Sequence, residues 1–205
     1  MNFYYKSIPS ETMSDFAHYY EHIAENLPNN AFVAELGVAD GRSIIMLASM
    51  LSYRKKRANL WAVDNFSYGK DLQRSTFETN IHNCGEWSSE NTFLYQPNVA
   101  EKTTTTLQVM DMETLVAATR CQDEQFDFVF IDSSHLYEMT KAEIRLWLHK
   151  VKKGGILAGH DYCDNEEVRK AVDELIPAGE LIICETTSGH GVWQVIKKDG
   201  FKLLK

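Results

Sequence analysis

The chain has 205 residues, of which 44% are hydrophobic and 24% charged; these ordinary globular values exclude disorder over the whole length. Such a length suits one domain with a short appendage and buries a core without disulfide or metal staples. With 29 acids against 21 basic residues the net charge is −8, which tells against a phosphate-backbone partner, and no apolar run approaches the ~20 residues that span a bilayer.

The elements follow one another as short apolar runs alternating with amphipathic stretches, the rhythm of parallel strands with crossover helices. A helix is predicted from about Ser10, a plausible N-cap, to Asn26, with Met13, Phe16, Ala17, Tyr20, Ile23 and Ala24 on one face and Pro28 stopping it. Ala31 to Leu36 reads as a buried strand, followed by a glycine turn and a helix from Ser43 to Tyr53. The run Arg54-Lys55-Lys56-Arg57 reads as a solvated helix end or turn. Leu60 to Asp64 is a second strand, Asp71 to Cys84 a helix, and a third strand falls near Thr92–Gln96 or Leu107–Met110. Met112 to Arg120 reads as helix, Phe126 to Asp132 as a strand, and Tyr137 to Val151 as a helix with Ile144, Leu148 and Val151 inward. A fifth strand spans Gly155 to Gly159, and Glu166 to Leu175 is a helix introduced by Asp164 or Asn165. Leu181–Glu185 and Gly191–Lys197 close the chain as two strands near enough to pair antiparallel. The expected fold is α/β, with about seven strands, mostly parallel and antiparallel at the last, and helices on both faces.

In open sheets of this kind, ligands sit outside the carboxyl ends of the strands. The first strand runs into Glu35-Leu36-Gly37-Val38-Ala39-Asp40-Gly41-Arg42-Ser43. Its glycines permit a tight turn and a close approach of backbone to ligand. The stretch lacks the three-glycine dinucleotide spacing and the Gly-Lys-Ser/Thr of a phosphate loop, which weakens a nicotinamide-dependent oxidoreductase. Asp64 ends the second strand, where a carboxylate either accepts ribose hydroxyls or caps a turn. Asp111, between Met110 and Met112, either meets an adenine amino group with methionine against the ring or caps the next helix. The fourth strand ends in Asp132-Ser133-Ser134-His135 and the fifth in His160-Asp161-Tyr162. Neighbouring strands lie ~4.8 Å apart, so Asp132, His160 and Asp161 can converge as a divalent-metal site. His135, with an ordinary pKa near 6.5, is placed to act as a base at the same mouth. For each of these residues a packing or capping role is the alternative.

The stretch Val33 to Gly41 resembles the first motif of class I S-adenosylmethionine-dependent methyltransferases. Asp132-Ser133-Ser134-His135-Leu136-Tyr137-Glu138 and Lys153-Gly154-Gly155-Ile156-Leu157-Ala158-Gly159-His160-Asp161-Tyr162 resemble a branch of small metal-dependent O-methyltransferases acting on sugars and natural products. The resemblance covers about Phe32 to Lys198 and implies a Rossmann-like sheet of seven strands with the last antiparallel. It implies a methyltransferase domain over residues 31–205, with residues 1–30 as a helical segment covering the active-site side. It implies that Glu35, Gly37, Gly41 and Ser43 serve the methionine side of S-adenosylmethionine, Asp64 the ribose, and Asp111 and Met112 the adenine, with Asp132 near the cofactor. Catalysis falls to His135 and Asp161, and a magnesium or manganese ion to Asp132, His160 and Asp161. His160 departs from the pattern, because relatives with a well-defined metal site usually carry an acid there; imidazole shifts the preference away from magnesium.

The expected reaction is in-line methyl transfer to a hydroxyl of a small molecule, with a non-catalytic cofactor-binding protein on the same fold as the alternative. The expected partners are a small acceptor and no nucleic acid or membrane; a homo-oligomer stays open. The four cysteines (Cys84, Cys121, Cys163, Cys184) are scattered and the N-terminus lacks a signal-peptide pattern, so a reduced, cytoplasmic protein is expected. Acceptor specificity is expected from the N-terminal helix, Asn65 to Tyr68, residues 85–106 and the loop Thr186 to Gly191.

Overall fold

The computed structural model describes residues 15–67, 71–89, 92–95 and 105–204. In chain order the elements are α1 (Ala17–Asn26), β1 (Ala31–Leu36), α2 (Arg42–Tyr53), β2 (Ala58–Asp64), α3 (Asp71–His82), β3 (Gly85–Ser89), β4 (Thr92–Tyr95), β5 (Thr105–Asp111), α4 (Thr114–Arg120), β6 (Phe126–Ile131), α5 (Tyr137–Lys150), β7 (Val151–Gly159), α6 (Glu166–Leu175), β8 (Ile182–Cys184) and β9 (Val192–Ile196). Strand β1 is apolar at every position but Glu35, as a strand covered on both faces must be. It lies at the centre of a sheet ordered β3-β4-β5-β2-β1-β6-β7-β9-β8. The chain builds outward from β1 through β2 to β5, then returns to the other side of β1 with β6. That reversal places the topological switch between β1 and β6, where a ligand crevice opens beyond the strand ends.

The five strands from β5 to β7 are mutually parallel, and β9 runs antiparallel between β7 and β8. The β3–β4 hairpin adds to the edge of β5, so the sheet has nine strands among the described residues. Both positions considered for the third strand are real: one is β4, the other β5.

Two apolar layers hold the sheet. On one face α1, α2 and Phe77 of α3 pack against Phe128 and Phe130; on the other, Trp147 of α5 and Val168 and Val172 of α6 pack against Val129 and Ile131. The alternation along β6 follows from the two-residue period of a strand. Helix α2 is buried from Ile44 through Ser52, because α1 covers its outer side.

Boundaries differ from expectation where one residue serves two neighbours. Helix α5 stops at Lys150 because Val151 pairs with Phe126; a register shift then brings Ile156 opposite Phe128. Helix α6 is capped by Asn165, whose side chain accepts from the amides of Glu167 and Val168 at 3.0 and 3.1 Å. The expected N-cap Ser10 lies outside the described residues.

Candidate active site

The glycine turn after β1 is shaped by its neighbours. Gly37 donates to Val63 O and Asp132 donates to Leu36 O, each at 2.8 Å, so the turn is wedged between the ends of β2 and β6. Gly37 has φ 81°, and a Cβ there would stand 2.1 Å from the carbonyl oxygen of Asp132. A glycine is therefore required by the protein's own backbone at that point. Asp64 holds the same turn: its Oδ2 accepts from the amides of Val38 (2.9 Å) and Ala39 (3.0 Å), and its Oδ1 from Phe66 (2.7 Å). A carboxylate has about four acceptor positions, so Asp64 keeps capacity toward a ligand.

Beneath the turn, Glu35 is completely buried and accepts from Tyr20 Oη at 2.9 Å and from Ser43 Oγ. Burial pushes its carboxyl up to about 8 against these two hydrogen bonds.

A cavity of about 720 Å³ opens beside the turn. Gly37, Ala39 and Asp64 form one end, and Asp132, Ser133, Ser134 and His135 the other; Glu113, Gln73 and Glu143 line it between. Its size falls in the range of small-molecule and cofactor sites. Two wall residues carry buried oxygens with no partner among the described residues, Glu143 Oε2 and Gln73 Oε1. The other oxygen of Glu143 accepts from Ser133 Oγ (2.6 Å) and Thr114 Oγ1 (2.5 Å). The two free acceptors suit ligand hydroxyl or amino donors, since a buried acceptor left unpaired is costly.

At the far end stands an ionic cluster centred on Asp161, which has a left-handed backbone with φ 62°. Its Oδ2 meets His135 Nε2 at 2.6 Å, and its Oδ1 meets His160 Nδ1 at 3.0 Å and His190 Nδ1 at 3.5 Å. Asp132 Oδ1 lies 3.9 Å from His135 Nε2 and 3.7 Å from His160 Nδ1. The neighbouring carboxylates of Asp132 and Asp161 push His135 up to about 10. For His160, burial opposes the charge, yet Asp161, Asp132 and Asp15 prevail and raise it to about 9. Burial likewise opposes ionisation of Asp161, but the two imidazoles hold its carboxyl well below the usual range.

His160 converges with Asp132 and Asp161, its Nδ1 lying 3.7 Å from Asp132 Oδ1 and 3.0 Å from Asp161 Oδ1, while its Nε2 is engaged by Asp15 at 2.8 Å and Phe16 stands edge-on to its buried ring. Among the described residues, one group able to surround a cation is Asp132, His135 and Asp161, whose ligand atoms all lie within 4.8 Å of one another. His135 does not sit near 6.5, because two carboxylates hold its proton. Gly37, Asp64 and Asp132 reach the cavity wall; Glu35, Gly41, Ser43, Asp111 and Met112 are not among its described lining. Gly41 instead meets the ring of Phe77, where a Cβ would come within 2.9 Å. Asp111 points to Arg74 Nη1 at 2.9 Å, and Met112 packs on the core of the opposite sheet face.

Sequence reading missed Asp15, Gln73, Glu113 and Glu143, and it saw His190 as part of a specificity loop and a stacking surface for the acceptor, with core packing as the alternative. Asp15 precedes α1 and reaches β7 only through the packing of Phe16 and Tyr20 on Phe130. No local pattern signals that contact. The setting of His190, between two glycines in a loop before a strand, was the one readable hint.

A family model described as a methyltransferase domain matches residues 34–162, more than half of the chain. Comparison with curated proteins gave no match. Among solved structures, cofactor-bound Rv0187 from MTB aligns with TM-score 0.63 at 15% identity, over 95% of this chain and 87% of that one. The O-methyltransferase NovP aligns with TM-score 0.60 at 16% identity, over 90% and 80%. An rRNA methylase from Streptococcus thermophilus aligns with TM-score 0.58 at 10% identity, over 92% and 99%. These likenesses carry the fold. The family match shows that the chain belongs to the methyltransferase-domain family, and these neighbours show that it has the Rossmann-like fold of class I methyltransferases.

Proposed function

We propose that the chain transfers the methyl group of S-adenosylmethionine to a hydroxyl oxygen of a small acceptor, a sugar or natural product. The observation that carries this reading is the continuity of the 720 Å³ cavity with the Asp132–His135–Asp161 cluster: a cofactor-sized space ends at the groups that would handle an acceptor proton. A chain with net charge −8 is poorly suited to an RNA acceptor.

In this reading Asp64 and the turn it clamps hold the ribose side of the cofactor, and Gln73 and Glu143 accept from its remaining donors. Methyl transfer from a sulfonium is an in-line displacement, so much of the acceleration comes from fixing the acceptor oxygen opposite the leaving sulfur. Asp132, His135 and Asp161 fit a divalent cation; two carboxylates with an imidazole suit manganese better than magnesium. Such an ion, when bound, lowers the pKa of a coordinated hydroxyl. The chain's own part is to orient that cluster: His160, fixed by Asp15, holds the Oδ1 face of Asp161 and leaves Oδ2 toward His135. Without the ion, His135 Nε2 keeps its proton against Asp161 at neutral pH, so it must lose that proton before it either ligates a cation or accepts a proton from the acceptor.

Thermal shift tests the cofactor first. S-adenosylmethionine and its demethylated product should raise the melting temperature while NAD does not. Transfer of labelled methyl to a panel of sugars and phenols should then yield an O-methylated product. No stabilisation by either sulfur compound would overturn the reading.

A further inference from the structure

We infer that Asp161, Asp164 and His190 form a second divalent-cation site, sharing Asp161 with the first. Ligand atoms of these three residues lie within 4.8 Å of one another, a group separate from Asp132 and His135. Asp161 is disposed for both: Oδ2 faces His135 at 2.6 Å, whereas Oδ1 faces His190 at 3.5 Å. His190 Nδ1 also contacts the Asp164 carboxylate directly.

The donors are held by main chain rather than by chance meetings of surface side chains. Cys163 donates to His190 O at 2.7 Å and Tyr162 to Gly191 O at 3.3 Å, which ties the loop before β9 to the turn after β7. Asn165 donates to Asp161 O at 3.1 Å, fixing Asp164 within the same turn. Gly191 has φ 75°, and a Cβ there would meet Cys163 Sγ at 2.4 Å, so the two segments interlock at that glycine. The His190 ring stacks on His160 with centroids 5.6 Å apart, and His160 is itself held by Asp15. Ligating side chains oriented by such outer contacts are a hallmark of built metal sites.

Two carboxylates and one imidazole suit a first-row divalent ion such as manganese or zinc. The sharing of Asp161 rests on the proposed first site, but the second group of donors stands by itself. An ordinary ion pair between His190 and Asp164 is the competing account, and cation stoichiometry separates the two.

The test titrates the full-length, chelator-treated protein with Mn²⁺ by calorimetry and by electron paramagnetic resonance. Wild type should take up two equivalents and show the spectrum of a coupled manganese pair. His190→Ala and Asp164→Asn should each lose one equivalent and the coupling, and Asp132→Asn should lose the other equivalent. Circular dichroism confirms folding of each variant, and agreement between the two substitutions guards against a local collapse in one. A stoichiometry unchanged by both His190→Ala and Asp164→Asn overturns the second site. If a single equivalent disappears only in Asp132→Asn, the second site fails and the first stands. If it disappears only in the other two, the second site stands and the metal in the proposed function fails.

Discussion

His135 Nε2 lies 2.6 Å from Asp161 Oδ2, joining the loops that follow two adjacent parallel strands, β6 and β7. Asp132 and Asp161 together raise the imidazole to about 10. Its folded value exceeds the unfolded one, so the stability it contributes is present below pH ~6.5 and is lost as pH climbs through about 10. Asp161→Asn should bring the His135 titration, followed by NMR, part of the way back toward neutrality, with Asp132 holding the rest. It should also flatten the alkaline part of the stability curve. An unmoved His135 titration would show that Asp161 does not hold its proton.

Asp15 acts at a distance from the cavity. It engages His160 Nε2, accepts from Ser188 Oγ, and through its carbonyl accepts from Thr187 N at 3.2 Å. Asp15→Ala should release His160 and the loop before β9 together. Loss of an outer-shell partner of this kind lowers metal affinity or activity by roughly 10–100-fold. S-adenosylmethionine affinity, measured by calorimetry, should stay near wild type, because Asp15 is not part of the described cavity lining. A proportionate loss of cofactor binding would contradict this separation.

Glu35 supplies a pH dependence of the same sign as that of His135, in a lower window. Burial raises its carboxyl from 4.5 to about 8, so the folded chain binds a proton that the unfolded chain has released. Stability should therefore fall as pH rises from 4.5 to about 8. Glu35→Gln keeps an acceptor for one of Tyr20 and Ser43, leaves the other hydroxyl to accept from the amide nitrogen, and removes the titration. Melting temperatures across that window should fall less steeply with pH in the variant; parallel curves would refute the assignment.

Asp64 clamps the turn after β1 and, in the proposed function, meets the ribose. It satisfies three part-buried backbone amides, and leaving such donors without an acceptor costs up to about 1–3 kcal/mol. Asp64→Ala should therefore lower both stability and cofactor affinity, whereas Asp64→Glu should restore part of the affinity if the carboxylate meets the ribose. Calorimetry showing full affinity in Asp64→Ala would remove it from the cofactor site.

The alternation of apolar strands and amphipathic helices, the glycine turn after β1 and the acids at the strand ends were all legible in the sequence. Each is written in a local signal: a period of two or 3.6 residues, a glycine, a carboxylate closing an apolar run. The convergence of Asp132 with Asp161 followed from the same reading, because parallel neighbours bring their carboxyl ends together. What each side chain faces was decided only by tertiary packing. His160 and Asp161 are adjacent in sequence, yet one turns inward to Asp15 and the other toward His135, since the strand's alternation ends at the left-handed Asp161. Asp111 ends β5 opposite Asp64 in register but is drawn to Arg74 of α3. Asp15 and His190 belong to the site only because α1 and the loop before β9 fold onto the end of β7. Such contacts join residues at opposite ends of the chain through packing, which no periodicity in the sequence encodes.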